Sequence, residues 1–183
     1  MLDRSEERNC LGDYVHRCTP QRCGNEALPV LSVTKERSIV FQDERFDSVV
    51  ASENKENYII VPRGYIVQGI HIDEGNFGLQ DLVERGIVSP AYKLWKITSK
   101  EVVPKLLEYF LRSERAIAYY RRNFQGTTVA RRQTIRQEDL LKMPLNFPRM
   151  DRQISFYEFM QQSDKSKYTL GEQICLTKTL LSR

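Results

Sequence analysis

Between Pro29 and Ile97 the apolar side chains fall in short runs, not at helical spacing. Pro29-Val30-Leu31-Ser32-Val33-Thr34, Ser38-Ile39-Val40-Phe41, Tyr58-Ile59-Ile60-Val61 and Tyr65-Ile66-Val67-Gln68-Gly69-Ile70 are β-branched and aromatic stretches divided by turn-prone residues, which predicts strands. Tyr58 to Ile70 reads as a hairpin about Pro62-Arg63-Gly64, where a fixed φ precedes a glycine free to take φ > 0. A further extended run, Ile87 to Ile97, contains Pro90, whose missing N–H assigns it to an edge or a bulge. Beyond Ile97 the period becomes helical. Val103, Leu106, Leu107, Phe110 and Leu111 recur at three- and four-residue spacing, and Pro104 suits a first turn. A polar loop follows over Asn123 to Thr128, then Thr134-Ile135-Arg136-Gln137 predicts a capping box opening a short helix to Lys142. Pro144 and Pro148 bracket an extended linker.

Residues 151–183 hold no proline, and Ile154, Tyr157, Gln161, Leu170, Ile174, Thr177 and Leu181 form a partly polar seam. Gly171 and the polar stretch Ser163 to Lys167 weaken it. A continuous helix there would span about 50 Å at 1.5 Å per residue. Such a helix cannot bury its seam alone, so a partner is expected. The expectation is an α+β chain: a mixed β-sheet domain with short helices over 1–149, then a long C-terminal α-helix over 150–183.

Composition narrows the picture only a little. The chain has 183 residues, 40% hydrophobic and 28% charged, as a folded domain with an appended element would. No apolar run approaches the roughly 20 residues that cross a bilayer, and the first residues lack the apolar core of a signal peptide. A cytoplasmic protein without a membrane segment is expected. Cys10, Cys18, Cys23 and Cys175 are then expected as thiols. A metal reading would combine His16, Cys18 and Cys23 with Cys10, at spacings that match no common zinc pair. The net charge of +4 is small, but Arg112, Arg115, Arg121, Arg122, Arg131, Arg132 and Arg136 lie in a stretch with one acid, Glu114. Charge alone leaves two readings open, a solvated face and a nucleic-acid surface.

Enzyme signatures are sparse. Neither a Gly-x-Gly-x-x-Gly segment nor a phosphate-binding loop occurs, so no dinucleotide, ATP or other cofactor site is expected. A serine or cysteine nucleophile would need His16 or His71 as its base, and His71 sits between strand-like Ile70 and Ile72. Asp47 with Glu53-Asn54-Lys55 is similar to the acid pair and lysine of Mg²⁺-dependent nucleases, although it lies in a polar stretch before a strand.

The order of segments resembles one target-recognition domain of a type I restriction-modification specificity subunit. Leu11-Gly12-Asp13-Tyr14-Val15 is similar to the opening of such domains, Leu28 to Thr34 to their first core strand, and Tyr58 to Val67 to their hairpin. Gly86-Ile87-Val88-Ser89-Pro90-Ala91-Tyr92 resembles a characteristic segment of the family throughout, and Leu141 to Ile154 its proline-rich exit into the conserved helix. Gly75-Asn76-Phe77-Gly78 departs from the family's Gly-Ser-Ile-Gly-like turn, and Arg152 stands where an acid is common. Members usually carry two recognition domains and two helices, whereas this chain offers one of each.

The resemblance implies a non-catalytic DNA-recognition subunit that reads half of a split target. Its helix would act as spacer and as docking surface for the methyltransferase and restriction subunits, which supply the S-adenosylmethionine and ATP chemistry. Candidate contacts to double-stranded DNA are Arg121, Arg122, Gln125, Thr127, Thr128, Arg131 and Arg132, with Lys35 and Arg37 in the first strand turn, then Gln80, Asn76 and His71. Tyr92 and Trp95 are assigned to the core and Gly86 to shape. Ile154, Tyr157, Leu170, Ile174 and Leu181 would pair two copies, or join another half-subunit. The competing readings are the small Mg²⁺-dependent nuclease and a truncated half-subunit that only binds protein partners.

Overall fold

A computed structural model describes residues 9–42, 55–125 and 134–163. The β-branched runs become short strands: β1 (Val15–Arg17), β2 (Leu31–Thr34), β3 (Ser38–Phe41), β4 (Ile59–Pro62), β5 (Tyr65–Gln68), β6 (Phe77–Leu79), β7 (Arg85–Val88) and β8 (Lys93–Ile97). They are followed by α1 (Pro104–Leu111), α2 (Glu114–Arg122), β9 (Phe124–Gln125), β10 (Thr134–Ile135) and α3 (Gln137–Leu141). A last helix, α4, covers 150–163 of the described residues. The α+β class is the one expected. Two compact units are formed, residues 1–146 and residues 147–183.

In the first unit, four strands form one sheet in the order β1-β8-β5-β6, and β2-β3, β4-β7 and β9-β10 make separate pairs. All of these ladders are antiparallel. Leu31, Val33, Ile39, Ile59, Val61, Val67, Val88 and Leu94 meet in one apolar cluster drawn from six strands, with Cys18 and Tyr92 packed against it. Trp95 is buried, and its indole N–H donates to the Gln68 amide oxygen at 3.0 Å. Core roles for Tyr92 and Trp95 follow.

The expected hairpin is corrected. Gly64 does turn the chain, at φ 84°, but β4 pairs with β7 while β5 pairs with β6 and β8. The donors of the turn are spent elsewhere: Arg63 N–H reaches Glu84 O at 2.9 Å and Gly64 N–H reaches Gln80 O at 2.7 Å. Pro90 is corrected too. It lies exposed in the connection between β7 and β8, and β8 is an inner strand of its sheet. Gly86, opposite Val61 in the ladder, lets Leu31 come close, because a Cβ there would lie 2.5 Å from Leu31 Cδ1.

The helical period is found as expected in α1, with Pro104 in its first turn and Leu106, Leu107 and Leu111 buried. The chain breaks after Arg112. Ser113 caps α2 by accepting from Ala116 N–H, and Tyr120 inserts fully, its hydroxyl donating to Leu111 O at 2.8 Å and its ring 5.6 Å from Phe77. Burial pushes the Tyr120 hydroxyl pKa well above the usual tyrosine range. Thr134 is not a cap; it pairs with Gln125 in β10, so α3 starts after Arg136, whose guanidinium holds Asp139 at 2.7 Å. Nor is the Pro144 segment a free linker. Leu11 N–H donates to Met143 O and Leu145 N–H to Asn9 O, and both Met143 and Leu145 are buried.

In the second unit, the Gln153 amide donates to Pro148 O at 2.8 Å at the start of α4. Ile154, Phe156 and Phe159 of that helix are exposed. At 3.6 residues per turn, Phe156 and Phe159 lie on the side opposite Ile154 and Tyr157. Leu170, Ile174 and Leu181 lie outside the described residues. No helix among the described residues is long and apolar enough to cross a membrane.

Candidate nucleic-acid interface

Strands β2 and β3 are joined by Lys35, Glu36 and Arg37, closed by the Thr34–Ser38 pair. Three-residue hairpin loops commonly end in a left-handed residue, which is usually glycine. Here the left-handed residue stands one place later, at the closing pair: Ser38, at φ 65°. A non-glycine residue costs about 1–2 kcal/mol in that region. The Thr34 hydroxyl accepts from Arg37 N–H at 3.0 Å and donates to Ser38 O at 3.3 Å, which tightens the loop from inside.

Facing this loop is the turn Ile72–Glu74, entered through His71 and left through Gly75 at φ 72°. The two turns enclose a cleft of about 330 Å³, lined by Lys35, Arg37, His71 and Asn76 together with Glu36 and Glu74. Arg121 reaches the same turn from α2, donating to Asp73 O at 3.1 Å. Lys35, Arg37, His71 and Asn76, scattered over the sequence, are thus brought together, while Arg121 holds one of the two turns by its backbone. A cleft with donors and acceptors of both signs suits the edges of bases, whereas a uniformly basic surface suits phosphate.

Beneath the loop, Glu108 of α1 is buried, with 1% of its surface exposed. It accepts from the Ser38 hydroxyl, meets Lys105 Nζ at 2.7 Å and Arg112 at 3.2 Å. Arg112 also donates to Lys35 O, so it is committed to the fold. Burial works against the charge on Lys105, but Glu108, through a hydrogen bond and its charge, and Asp81 outweigh it and raise that pKa.

No known family profile and no curated protein matches the sequence. Solved structures do match. One, described as the structural basis of complex assembly and conformational transition of the type I R-M system, aligns over 96% of this chain with a TM-score of 0.57 and 13% identity. Another, the HsdS subunit from Thermoanaerobacter tengcongensis, aligns over 88% with a TM-score of 0.51 and 13% identity. The fold is that of a type I specificity-subunit domain. This chain covers 42% and 38% of those two chains, less than half of either.

Other predicted positions fall elsewhere on the specificity-subunit fold. Gln80 is corrected: it is fully buried, its amide N–H donating to Val83 O at 2.7 Å and its oxygen accepting from Leu82 N–H at 2.9 Å. Arg122 is exposed away from the cleft, lining with Arg115 a second hollow of about 280 Å³ against Met143 and Pro144. Gln125 has its backbone in β9, while Thr127, Thr128, Arg131 and Arg132 lie outside the described residues. Asp47 and Glu53 lie outside them as well. Cys23 is buried, its thiol donating to Lys55 O at 2.8 Å. Among the described residues no three His, Cys, Asp or Glu side chains converge on a metal-sized site. Sequence reasoning missed Glu36 and Glu74, because nothing in local spacing shows that two turns about 35 residues apart will face each other.

Proposed function

We propose that this chain is a DNA-recognition module of a type I restriction-modification system that reads one half of a split target and carries out no chemistry itself. The observation that supports this most is the convergence of Lys35, Arg37, His71 and Asn76 in one mixed-sign cleft on a specificity-subunit fold. Within the cleft, Arg37 and Lys35 supply donors suited to guanine, Glu36 and Glu74 supply acceptors suited to cytosine amino groups, and His71 can do either. Arg121, Arg122, Arg131 and Arg132 supply phosphate contacts, with Gln125, Thr127 and Thr128 as further polar contacts to DNA.

In this reading residues 1–149 recognise DNA, and residues 150–183 act as spacer helix and docking surface for the methyltransferase and restriction subunits. The complex works in the cytoplasm, and the cofactors belong to the partner subunits. Two copies pair through Ile154, Tyr157, Leu170, Ile174 and Leu181, presenting two identical reading surfaces to a palindrome with an unread gap. Sedimentation of the wild type and of Ile174→Asp tests the pairing: a dimer converted to monomer supports it, and a monomer in both cases removes it. Recognition is tested by titrating the protein with duplexes while restoring the companion methyltransferase. Methylation at a defined sequence only when this chain is present is the expected result, and methylation without regard to it would refute the proposal.

A further inference from the structure

Among the described residues, Glu108 is the charged side chain buried as deeply as the apolar core. Its neighbours on α1, Leu106, Leu107 and Leu111, are buried apolar side chains. An ion kept in such a place must be matched by well-placed partners, and apolar replacements of buried pairs are often as stable. Stability alone therefore does not explain a carboxylate at this position.

Its partners do. The Ser38 hydroxyl donates to Glu108, and Ser38 is left-handed where the loop enters β3, a position at which glycine would be unstrained but would bring no hydroxyl. Gly78 leaves the room required, since a Cβ there would stand 3.0 Å from Ser38 Oγ and 2.5 Å from Ile39 Cγ1. The other oxygen meets Lys105. Arg112 links Glu108 to the far end of the loop by donating to Lys35 O. One buried carboxylate thus grips both ends of the Lys35-Glu36-Arg37 loop, directly at Ser38 and through Arg112 at Lys35.

We propose that Glu108 is a positioning residue, which through Ser38 and Arg112 fixes the Lys35-Glu36-Arg37 loop in the geometry that contacts DNA. This rests on the DNA-recognition reading given above. The sign of one substitution separates it from simple electrostatics. Glu108→Gln removes a negative charge, so a field effect alone strengthens DNA binding, whereas loss of positioning weakens it.

The test uses the full chain and a fluorescent, mixed-sequence duplex of about 30 base pairs at low salt, where Lys35 and Arg37, once placed against DNA, add electrostatic affinity at any sequence. Glu108→Gln and Ser38→Gly are each expected to weaken binding about three- to tenfold, a coupling typical of residues in one network. In a Lys35→Ala, Arg37→Ala background both effects disappear, and in an Arg122→Ala background both persist in full. Should Glu108→Gln fail to fold, Ser38→Gly, which relieves backbone strain, carries the same expectation. Tighter binding by Glu108→Gln, unchanged binding by Ser38→Gly, or equal losses in both backgrounds would overturn the proposal. Wild type that binds, with losses that simply add, removes only this inference. Wild type that binds no duplex at all removes the DNA reading together with it.

Discussion

Replacing Gln80 by Leu keeps the volume of the side chain and deletes its polar end, so it separates a core role from a DNA contact. Four backbone groups depend on that amide: Val83 O at 2.7 Å, Val61 O at 3.4 Å, Leu82 N–H at 2.9 Å and Val83 N–H at 3.3 Å. A hydrogen bond nets about 0.5–1.5 kcal/mol, and leaving a buried partner unsatisfied costs about 1–3 kcal/mol. The two short bonds dominate here. Leu82 is exposed, so water replaces one partner in part, and the expected loss is about 3 kcal/mol. For a chain of this size about 2–4 °C accompanies each kcal/mol, which places the drop in Tm at about 6–12 °C. Trp95, the single tryptophan, is buried beside Gln68 and reports unfolding of the first unit by its emission in urea. Duplex affinity should stay within a factor of about two while the emission is native, because no direct contact is lost. A loss below about 1 kcal/mol would refute the core assignment, since it falls under the cost of even one orphaned group. So would a tenfold fall in affinity without loss of stability.

Gly86→Ala forces a Cβ to within 2.5 Å of Leu31 Cδ1, with Leu31 itself buried. It should cost about 1–3 kcal/mol as an overpacked core does, and the double variant with Leu31→Ala should lose less than the sum of the two. Arg121→Ala and Arg122→Ala should each flatten the salt dependence of duplex binding by about 0.9 in log–log slope; an unchanged slope means that arginine makes no phosphate contact. Arg136 holds the Asp139 carboxyl below the usual range by a hydrogen bond and by its charge. The pair therefore stabilises the fold above the ordinary aspartate pKa of about 3.9 and loses that contribution as pH falls through the lowered value. In Arg136→Ala, NMR titration of Asp139 should return to the ordinary range. Purified chain with plasmid and Mg²⁺ should show no cleavage; cleavage abolished by Asp47→Ala would favour the nuclease instead.

Strands were legible wherever β-branched runs met turn residues, and α1 wherever leucines recurred at helical spacing. Partners were not. Nothing in Tyr58 to Ile70 reveals that the donors of its turn belong to Gln80 and Glu84, so a local hairpin was the natural and mistaken expectation. Thr134 shows the same limit, since a strand pair with Gln125 removed it from the cap that its spacing suggested. Nothing in the local sequence marks Gln80 as buried, and only the path of the backbone around it makes the amide indispensable. For the site, charge picked out arginines without telling Arg112, spent on Glu108 and Lys35, from Arg115 and Arg122 at the surface. Residue types carry the periodic signals, whereas facing turns depend on topology.

The measurement that bears most directly on recognition is selection of the purified chain against a pool of random-sequence duplexes, followed by sequencing of the retained fraction. A shared half-site should emerge, each mismatch costing about 1–3 kcal/mol, with two inverted copies about a fixed gap where chains pair. Enrichment of that half-site should fall when Lys35 and Arg37 are both replaced by Ala. Retention of duplexes without any common sequence, equally strong in that double variant, would contradict it.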